Sequence, residues 1–243
     1  MSAYIHFEYA IYLLPNSPKD PLSMARQLLV KNYPSVQLVN TLPDAPTAQF
    51  VSIRIQEDVP HEYALPGMDT IHHSNHGLTD TQIQALENSR QAIILDFAHP
   101  KEKVWLGLHT ADALLEDLAR QTGGLLWDEE SREVFSPDAW HERRLATWPD
   151  PNTIPHLQAE TVIHLYPYDD MLRAISLGMV KFGLPDIVVE HVSHNSQNQA
   201  GDLIDLFAQL SRKAHHSVPL PLSSNCNFRP SKTPSYANAF RLR

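Results

Sequence analysis

The chain has 243 residues, of which 42% are hydrophobic and 19% are charged, a globular composition that excludes a wholly disordered protein. Its formal net charge of −9 argues against a dedicated nucleic-acid-binding protein, because binding to phosphates requires clustered cations. No apolar run approaches the roughly 20 residues that a transmembrane helix needs, and the N-terminus lacks the basic segment of a signal peptide. A single cysteine, Cys226, excludes an internal disulfide framework, so we expect a cytoplasmic protein without membrane contact.

The N-terminal part of the chain switches between the periodicities of strands and helices. Enrichment in β-branched and aromatic residues, or alternation of apolar and polar residues, predicts strands at residues 4–14, 36–40 and 49–56. Apolar residues at helical spacing predict a helix over 21–33, and Thr79 or Asp80 can cap another over 79–90. Residues 59–77 contain two prolines and two glycines and are predicted to form a long polar loop.

The middle of the chain predicts strands at 91–98, 124–127 and 133–135, and helices over 104–121 and 137–144. The apolar run in the first of these strands indicates burial on both faces. Gly123 and Gly124 end the long helix, because glycine tolerates the positive φ of a helix stop. Ser136 and Pro137 suit the N-cap and the first position of the next helix.

The C-terminal part begins after residues 147–155, whose three prolines make them the best candidate for a linker. Beyond it the pattern predicts strands at 160–166 and 186–192 and helices over 169–182 and 202–213. The last helix is predicted to bury its large apolar residues, which are Leu203, Leu206, Phe207 and Leu210.

These elements together predict an α+β fold, with a mixed or antiparallel sheet and helices packed on it. We expect a larger N-terminal lobe over residues 1–146 and a smaller C-terminal α/β lobe over 156–222 that completes or extends the same sheet. Residues 223–243 contain no acid and no apolar periodicity, and are predicted to be a flexible basic tail.

The common motifs of catalysis and cofactor binding are missing from the sequence. It contains no glycine-rich phosphate loop, no nucleophile elbow, no HExxH and no CxxC. Each of these motifs has the residue spacing that its chemistry requires, so the absence of the motif argues against that chemistry. We therefore expect no intrinsic catalytic activity and no required cofactor.

Histidines supply the main alternative, a metal-dependent or histidine-based hydrolase that uses the 61–76 loop. There His72, His73 and His76 stand close to Asp69, and imidazoles with a carboxylate could hold a metal ion. A solvated polar loop explains the same residues. A second set of polar residues lies near the predicted strand 186–192. Because successive side chains of a strand point to opposite faces, its acidic residues and its histidine are expected on different faces.

Negative charge concentrates in the body of the protein. Residues 192–243 carry six bases and two acids, which leaves a net charge of −13 for residues 1–191. A run of acids between the strands 124–127 and 133–135 is predicted to form a solvated hairpin tip, with a tryptophan of the linker partly exposed nearby. The candidate contacts for a basic partner are therefore Asp128, Glu129, Glu130, Glu133 and Trp148.

Two segments carry a resemblance to known proteins. They are GGLLWDEESREVFSPDAWHERR at residues 123–144 and LRAISLGMVKFGLPDIVVE at residues 172–190. Both resemble uncharacterised bacterial α+β proteins, which often serve as immunity partners of type VI secretion toxins, including nucleases. The resemblance covers about 40 residues and supplies no catalytic residue. It implies a cytoplasmic protein that neutralises a cognate toxin by direct binding, without contacting nucleic acid itself.

Overall fold

The computed structural model describes residues 4–216, except 64 and 66, and residues 240–241. Within these residues the strands, in chain order, are β1 (Tyr4–Leu13), β2 (Val36–Val39), β3 (Gln49–Gln56), β4 (Asn75–His76), β5 (Gln91–Pro100), β6 (Leu125–Asp128), β7 (Glu133–Phe135), β8 (Val162–Tyr168), β9 (Met171–Leu177), β10 (Val188–Val192) and β11 (Phe240–Arg241). The helices are α1 (Pro21–Asn32), α2 (Val59–Glu62), α3 (Met68–Ser74), α4 (Asp80–Glu87), α5 (Val104–Thr122), α6 (Pro137–Trp140), α7 (Leu157–Glu160) and α8 (Gln197–His216). The α+β fold class is confirmed. The rest of the predicted tail and Cys226 lie outside the described residues.

A mixed sheet of seven strands forms the centre of the protein, in the order β2-β3-β5-β1-β6-β7-β4. Its longest pairing is antiparallel, between β1 and β5, and runs from Tyr4 opposite Pro100 to Leu13 opposite Gln91. The two outer pairings, β2 with β3 and β4 with β7, are parallel. The predicted strands of the N-terminal and middle parts are confirmed, apart from small shifts at their ends.

One face of this sheet is covered by α1 and α5. In α5 the apolar positions recur at helical spacing and are fully buried: Leu108, Ala111, Leu114, Leu115 and Leu118. The helix ends at Gly123, whose φ of 67° is in the left-handed region, as predicted from the glycine pair. Strands and helices of this layer bury their apolar side chains in one large cluster.

The other face of the sheet is covered at one end by α2, α3 and α4. Val59, Ile71 and Leu86 anchor these helices on the strands. The prediction of a long polar loop over 59–77 is therefore wrong. Helices of four and seven residues make too few turns to show a helical period in the sequence. The predicted cap of α4 is confirmed, because Thr79 and Gln82 form a capping box.

The C-terminal part builds its own antiparallel sheet, in the order β10-β9-β8-β11, and does not extend the first. The predicted helix over 169–182 is wrong, because half of it forms β9, which pairs with β8. Leu172 and Ala174 are buried at a spacing of two, and Asp169 turns the chain with a φ of 54°. Only residues 179–182 are helical, as a short 3-10 turn that ends at Gly183.

The buried face of α8 is not the predicted one. The helix buries Ala200, Ile204 and Ala208. Small residues at two of these positions let the helix approach the strands closely. The residues that were predicted to face inward are exposed: Leu203, Leu206, Phe207 and Leu210.

The predicted linker folds against the body of the protein. Trp148 is buried, its indole N–H donates to the carbonyl oxygen of Thr153, and its ring packs edge-on against His109. Met179 and Phe182, which follow the linker, belong to the same hydrophobic cluster as β1 and α5. The division into lobes at residues 147–155 stays a prediction.

Gly124 lies in the turn between α5 and β6 and gives a test of how closely this turn approaches β1. A Cβ at this position would lie 2.4 Å from Ile11 Cγ2 and 2.8 Å from the carbonyl oxygen of Tyr12. Because the second contact is backbone in the central strand, we expect Gly124→Ala to lower the free energy of unfolding by about 2 kcal/mol. Urea denaturation measures the change. Gly201→Ala is the control: a Cβ there meets nothing within 4 Å, so helix propensity should stabilise the protein by about 0.5 kcal/mol. Equal effects of the two substitutions would contradict the close approach.

Candidate functional site

Two clusters of ionisable side chains stand out, one buried and one open to solvent. The buried one, called the ion cluster below, consists of Asp112, Asp128, Arg144, Glu160 and Lys181. Each of these residues is fully buried.

The ion cluster is built around two carboxylates that share two cations. Arg144 donates to Asp128 Oδ2 at 2.6 Å and to Glu160 Oε2 at 2.5 Å. Lys181 Nζ reaches the same two oxygens at 2.6 and 3.0 Å. The Tyr9 hydroxyl accepts from Arg144 at 3.3 Å and donates to Asp112 Oδ1 at 2.9 Å. Each cation therefore bridges the same two carboxylates, while Arg144 Nε, Glu160 Oε1 and Asp112 Oδ2 are buried without a hydrogen-bond partner among the described residues.

The members of the ion cluster come from distant parts of the chain. Asp128 ends β6, Glu160 ends α7 and Asp112 lies within α5. Arg144 projects from a π-helical turn at His141–Leu145, which the backbone bond from Ala146 N–H to the His141 carbonyl closes. Its guanidinium lies 4.2 Å from the ring centroid of Trp140, a cation–π contact.

Burial and charge act in opposite directions on the acids of the ion cluster. Burial by itself would raise the pKa of Asp128, but Lys181 and Arg144 hold the pKa of that carboxyl well below its usual range. The pKa of Glu160 is lowered for the same reason. Burial and the charge of Glu160 raise the pKa of Asp112 well above its usual value, which favours its neutral form. Two carboxylates then face two cations. The ion cluster is closed to solvent, and its ion pairs join the C-terminal part to the large sheet.

The second cluster, called the carboxylate face below, lies on the large sheet beyond the end that α2, α3 and α4 cover. Glu8 on β1 stands directly opposite Asp96 on β5. Arg54 on β3 bridges them, at 3.2 Å from Glu8 and 2.6 Å from Asp96. The Tyr63 hydroxyl donates to the other oxygen of Glu8 at 2.7 Å. Glu8 and Asp96 each keep 21% of their side chains exposed, so the face is open to solvent.

The acidic hairpin adds two further carboxylates to this face. Glu130 accepts the backbone N–H of Glu8 at 3.3 Å, just beyond the last residue pair of β1 and β6. Glu129 accepts the indole N–H of Trp127 at 2.6 Å and pairs with Arg132 at 2.7 Å. The carboxylate face therefore consists of Glu8, Asp96, Glu129 and Glu130, with Arg54, Arg132 and Tyr63 between them.

Burial, together with neighbouring carboxyl groups, raises the pKa values of Asp96, Glu129 and Glu130. Partial burial and a hydrogen bond with Glu8 raise the pKa of Asp96 to about 6, against the opposing charge of Arg54. Burial and the charge of Asp128 raise the pKa of Glu130 to about 7. Burial also raises the pKa of Glu129. Part of the negative charge on this face is therefore titrated near neutral pH.

The predicted contact residues on the hairpin separate into two groups. The prediction of a solvated tip is wrong for Asp128 and Glu133, which are fully buried, and the predicted partial exposure of Trp148 is wrong as well. Asp128 faces Arg144 and Lys181, and Glu133 pairs with His76 at 2.8 Å. The local sequence of an acid-rich turn does not show which cations lie opposite it in the fold. Only Glu129 and Glu130 remain partly exposed.

The histidines of the 61–76 segment point to different surroundings. His72 and His73 are exposed on α3, while His76 stacks on Phe135 at 4.5 Å between ring centroids. The side chain of Asp69 is not among those that the structure describes. Within the described part of the chain, no three histidine, cysteine, aspartate or glutamate side chains form a group that could hold a metal ion.

Glu8, Arg54, Asp96, Arg144 and Lys181 were not singled out from the sequence. A weak signal existed for the first three, because each is a charged residue inside a segment with a clear strand pattern. Nothing local marks Arg144 or Lys181, since their partners are 16 to 53 residues away.

Removing a buried cation of the ion cluster is predicted to lower the free energy of unfolding more than removing an exposed cation elsewhere. Lys181→Met leaves Asp128 and Glu160 short of one buried counter-charge, and we expect the free energy of unfolding to fall by about 3 kcal/mol. Arg120→Met is the control, because Arg120 forms two ion pairs but keeps 44% of its side chain exposed, and its loss should cost under about 1 kcal/mol. Urea denaturation of both variants measures the difference, and similar costs would contradict a supporting role for the ion cluster.

The raised pKa of Glu130 predicts that the free energy of unfolding falls as pH rises. Its pKa is about 7 in the folded protein against 4.5 as its usual value, so between these values the folded state holds more protons than the unfolded state. The stabilisation is complete below pH 4.5 and is lost as pH rises through about 7. Glu130→Gln keeps the oxygen that accepts the Glu8 N–H but cannot titrate.

We expect the wild-type protein to lose about 2 kcal/mol more stability than Glu130→Gln between about pH 5 and about pH 8. Denaturation midpoints at the two pH values measure this difference. Parallel pH profiles of the two proteins would show that Glu130 titrates normally.

Comparison of the chain with protein families, with curated proteins and with solved structures gives no match. No residue role is therefore carried over from a relative, and the interpretation of the site depends on its own geometry. In the described residues, no helix is both long and apolar enough to cross a membrane.

Proposed function

We propose that the protein is a non-catalytic immunity protein, which neutralises a toxin delivered by type VI secretion by binding a basic surface of that toxin. The observation that carries the proposal is the carboxylate face, an open part of a rigid sheet on which four carboxyl groups are fixed by hydrogen bonds and ion pairs.

The shape and chemistry of this face suit a protein partner. Glu8 and Asp96 lie on the two longest paired strands, so their positions are fixed by the backbone ladder. Preorganised charges speed association with a partner of opposite charge and select against other partners. The net charge of −13 over residues 1–191 acts in the same direction at longer range.

The surroundings of the acids favour binding over catalysis. The carboxylate face is part of an open sheet surface, whereas acid–base catalysis uses groups that converge on a substrate in a cleft. A surface hollow of about 680 Å³ lies elsewhere, along α1 between Asp20 and Lys31. Its lining comes from that one helix and its cap, and includes no histidine, cysteine or glutamate.

The class of partner comes from the resemblance of residues 123–144 and 172–190 to immunity proteins. A nuclease toxin fits the charge, because its nucleic-acid-binding surface is basic. Covering that surface would keep the toxin from its substrate. The contacts proposed here use the carboxylate face, since Asp128, Glu133 and Trp148 are buried.

The test is co-expression with the toxin encoded beside the gene, followed by affinity purification and growth measurement. We expect the two proteins to purify together and growth to be restored. The double variant Glu8→Gln/Asp96→Asn removes two negative charges while keeping side-chain shape. It should slow association at low salt by about tenfold and weaken the salt dependence of the rate.

Glu142→Gln is the matched control, because Glu142 is exposed and lies on the π-helical turn that packs against α5, across the sheet from the carboxylate face. It should leave the association rate unchanged. A chain that neither binds the toxin nor restores growth would refute the immunity proposal. Normal binding by the double variant would refute only the assignment of the carboxylate face.

A further inference from the structure

A pocket lies between the helices α2, α3 and α4, which cover one end of the large sheet. Its volume is about 330 Å³, and its lining residues are Val59, Pro60, Leu65, Met68, Glu87 and Ser89. Four of the six are apolar. The hydroxyl of Ser89 is used inside the protein, where it donates to the carbonyl oxygen of Leu13. Because Val59 is buried and Glu87 is exposed, the pocket has an apolar floor and an acidic rim.

The pocket and the carboxylate face lie on the same side of the large sheet. Val59 packs in one cluster with Ala10 of β1 and Ala92 of β5. Side chains alternate along a strand, so Glu8 and Asp96 share a face with these two alanines. The helices that form the pocket therefore cover the sheet surface next to the carboxylate face.

The two features are close enough for one partner to cover both. Leu13, which contacts the pocket residue Ser89, is five positions from Glu8 along β1, a distance of about 17 Å in a strand. A standard interface buries about 800 Å² on each partner, a patch roughly 30 Å across. A protein seated on the carboxylate face would therefore reach the pocket without any change in the fold.

The pocket supplies a kind of contact that carboxylates do not. Fixed charges mainly raise the rate and the selectivity of association, whereas affinity comes mostly from a few side chains buried in well-packed pockets. An apolar side chain in this pocket would lose its contact with water and gain that affinity.

We propose that this pocket, called the anchor pocket below, receives one apolar side chain of the toxin, and that basic residues flank that side chain. The inference rests on the proposed function. It adds to that function a defined binding pocket and the chemistry of the segment that enters it.

The charge around the anchor pocket selects a basic segment. Residues 57–90, which form this part of the surface, contain six acids and a single base, Arg90. Glu62 accepts from the neutral amide of Gln56, and Glu57 accepts from that of Gln91, so these contacts leave both charges in place. A second copy of this acidic chain would bring like charges together, whereas a basic partner is attracted.

The first experiment uses the wild-type protein and a tripeptide, acetyl-Arg-Leu-Arg-amide, as the probe. We expect the methyl NMR signals of Val59, Leu65 and Met68 to shift and to saturate with a dissociation constant of about 1 mM, as suits so small a ligand. Acetyl-Arg-Gly-Arg-amide lacks the apolar side chain, and acetyl-Glu-Leu-Glu-amide reverses the charge. Each should bind at least about fivefold more weakly.

The second experiment measures dissociation of the toxin from two variants. Met68→Gln keeps the length of the side chain but makes the anchor pocket polar, and it should speed dissociation about tenfold at every salt concentration. Met24→Gln is the matched control, because Met24 is partly exposed like Met68 but lies on α1, which covers the other face of the sheet. Its complex should dissociate at the wild-type rate.

Three results would overturn the anchor pocket. The first is the absence of methyl shifts at up to about 20 mM tripeptide, as a pocket covered by residues 217–239 of the same chain would give. The second is equally tight binding of the Arg-Gly-Arg control. The third is wild-type dissociation of bound toxin from Met68→Gln. This last result would leave the immunity proposal intact, whereas a wild-type chain that binds no toxin would refute the proposed function and the toxin contact together.

Discussion

The arrangement of the two sheets depends on the pairing of Asp128 and Glu160 with Arg144 and Lys181. Moving four charged groups out of water has a large cost, and only close pairing with good hydrogen-bond geometry offsets it. Each oxygen and nitrogen of the ion cluster therefore has little freedom to move. The end of β6, the π-helical turn, α7 and the 3-10 turn at residues 179–182 are thereby fixed relative to one another.

Aromatic side chains make this arrangement possible, because they exclude water while offering the arginine favourable contacts. The guanidinium of Arg144 lies over the ring of Trp140 and near those of Phe135 and Tyr9. Trp140 in turn donates its indole N–H to the backbone carbonyl of Asp112, which ties this layer to α5. Large apolar rings and charged groups thus share one interior, and the hydrophobic cluster continues past them into the C-terminal part.

The sequence predicted elements well where one period dominated over a long segment. The long helix α5, the central strands and the hairpin of β6 and β7 have an unbroken pattern and clear end signals, such as Gly123 and the Ser136 cap. Prediction failed where the period was ambiguous. Residues 169–182 contain apolar residues at both spacings, and the pairing of β9 with β8, which only the fold supplies, decided for a strand.

The site was less predictable than the fold, for a physical reason. A carboxylate in a turn has the same sequence appearance whether it meets water or a buried cation. Asp128 and Glu130 are two residues apart, yet one is buried between Arg144 and Lys181 and the other is partly exposed beside Glu8. Glu8 and Asp96 come together only through the register of β1 and β5, across 88 residues of chain. Local sequence patterns carry no information about contacts between residues that are so far apart in the chain.

The ion cluster also has a consequence for the order in which the chain folds. During synthesis the ribosome releases Asp128 and Arg144 before Glu160 and Lys181. A nascent chain that ends in the 147–155 segment therefore contains one of the two paired acids and one of the two cations. Burying an incomplete set of charges is unfavourable, and water stays around them until the last members arrive. The large sheet therefore gains its full stability only when the strands of the second sheet have been made. The protein should behave as one cooperative folding unit in the cell, although its strands form two separate sheets.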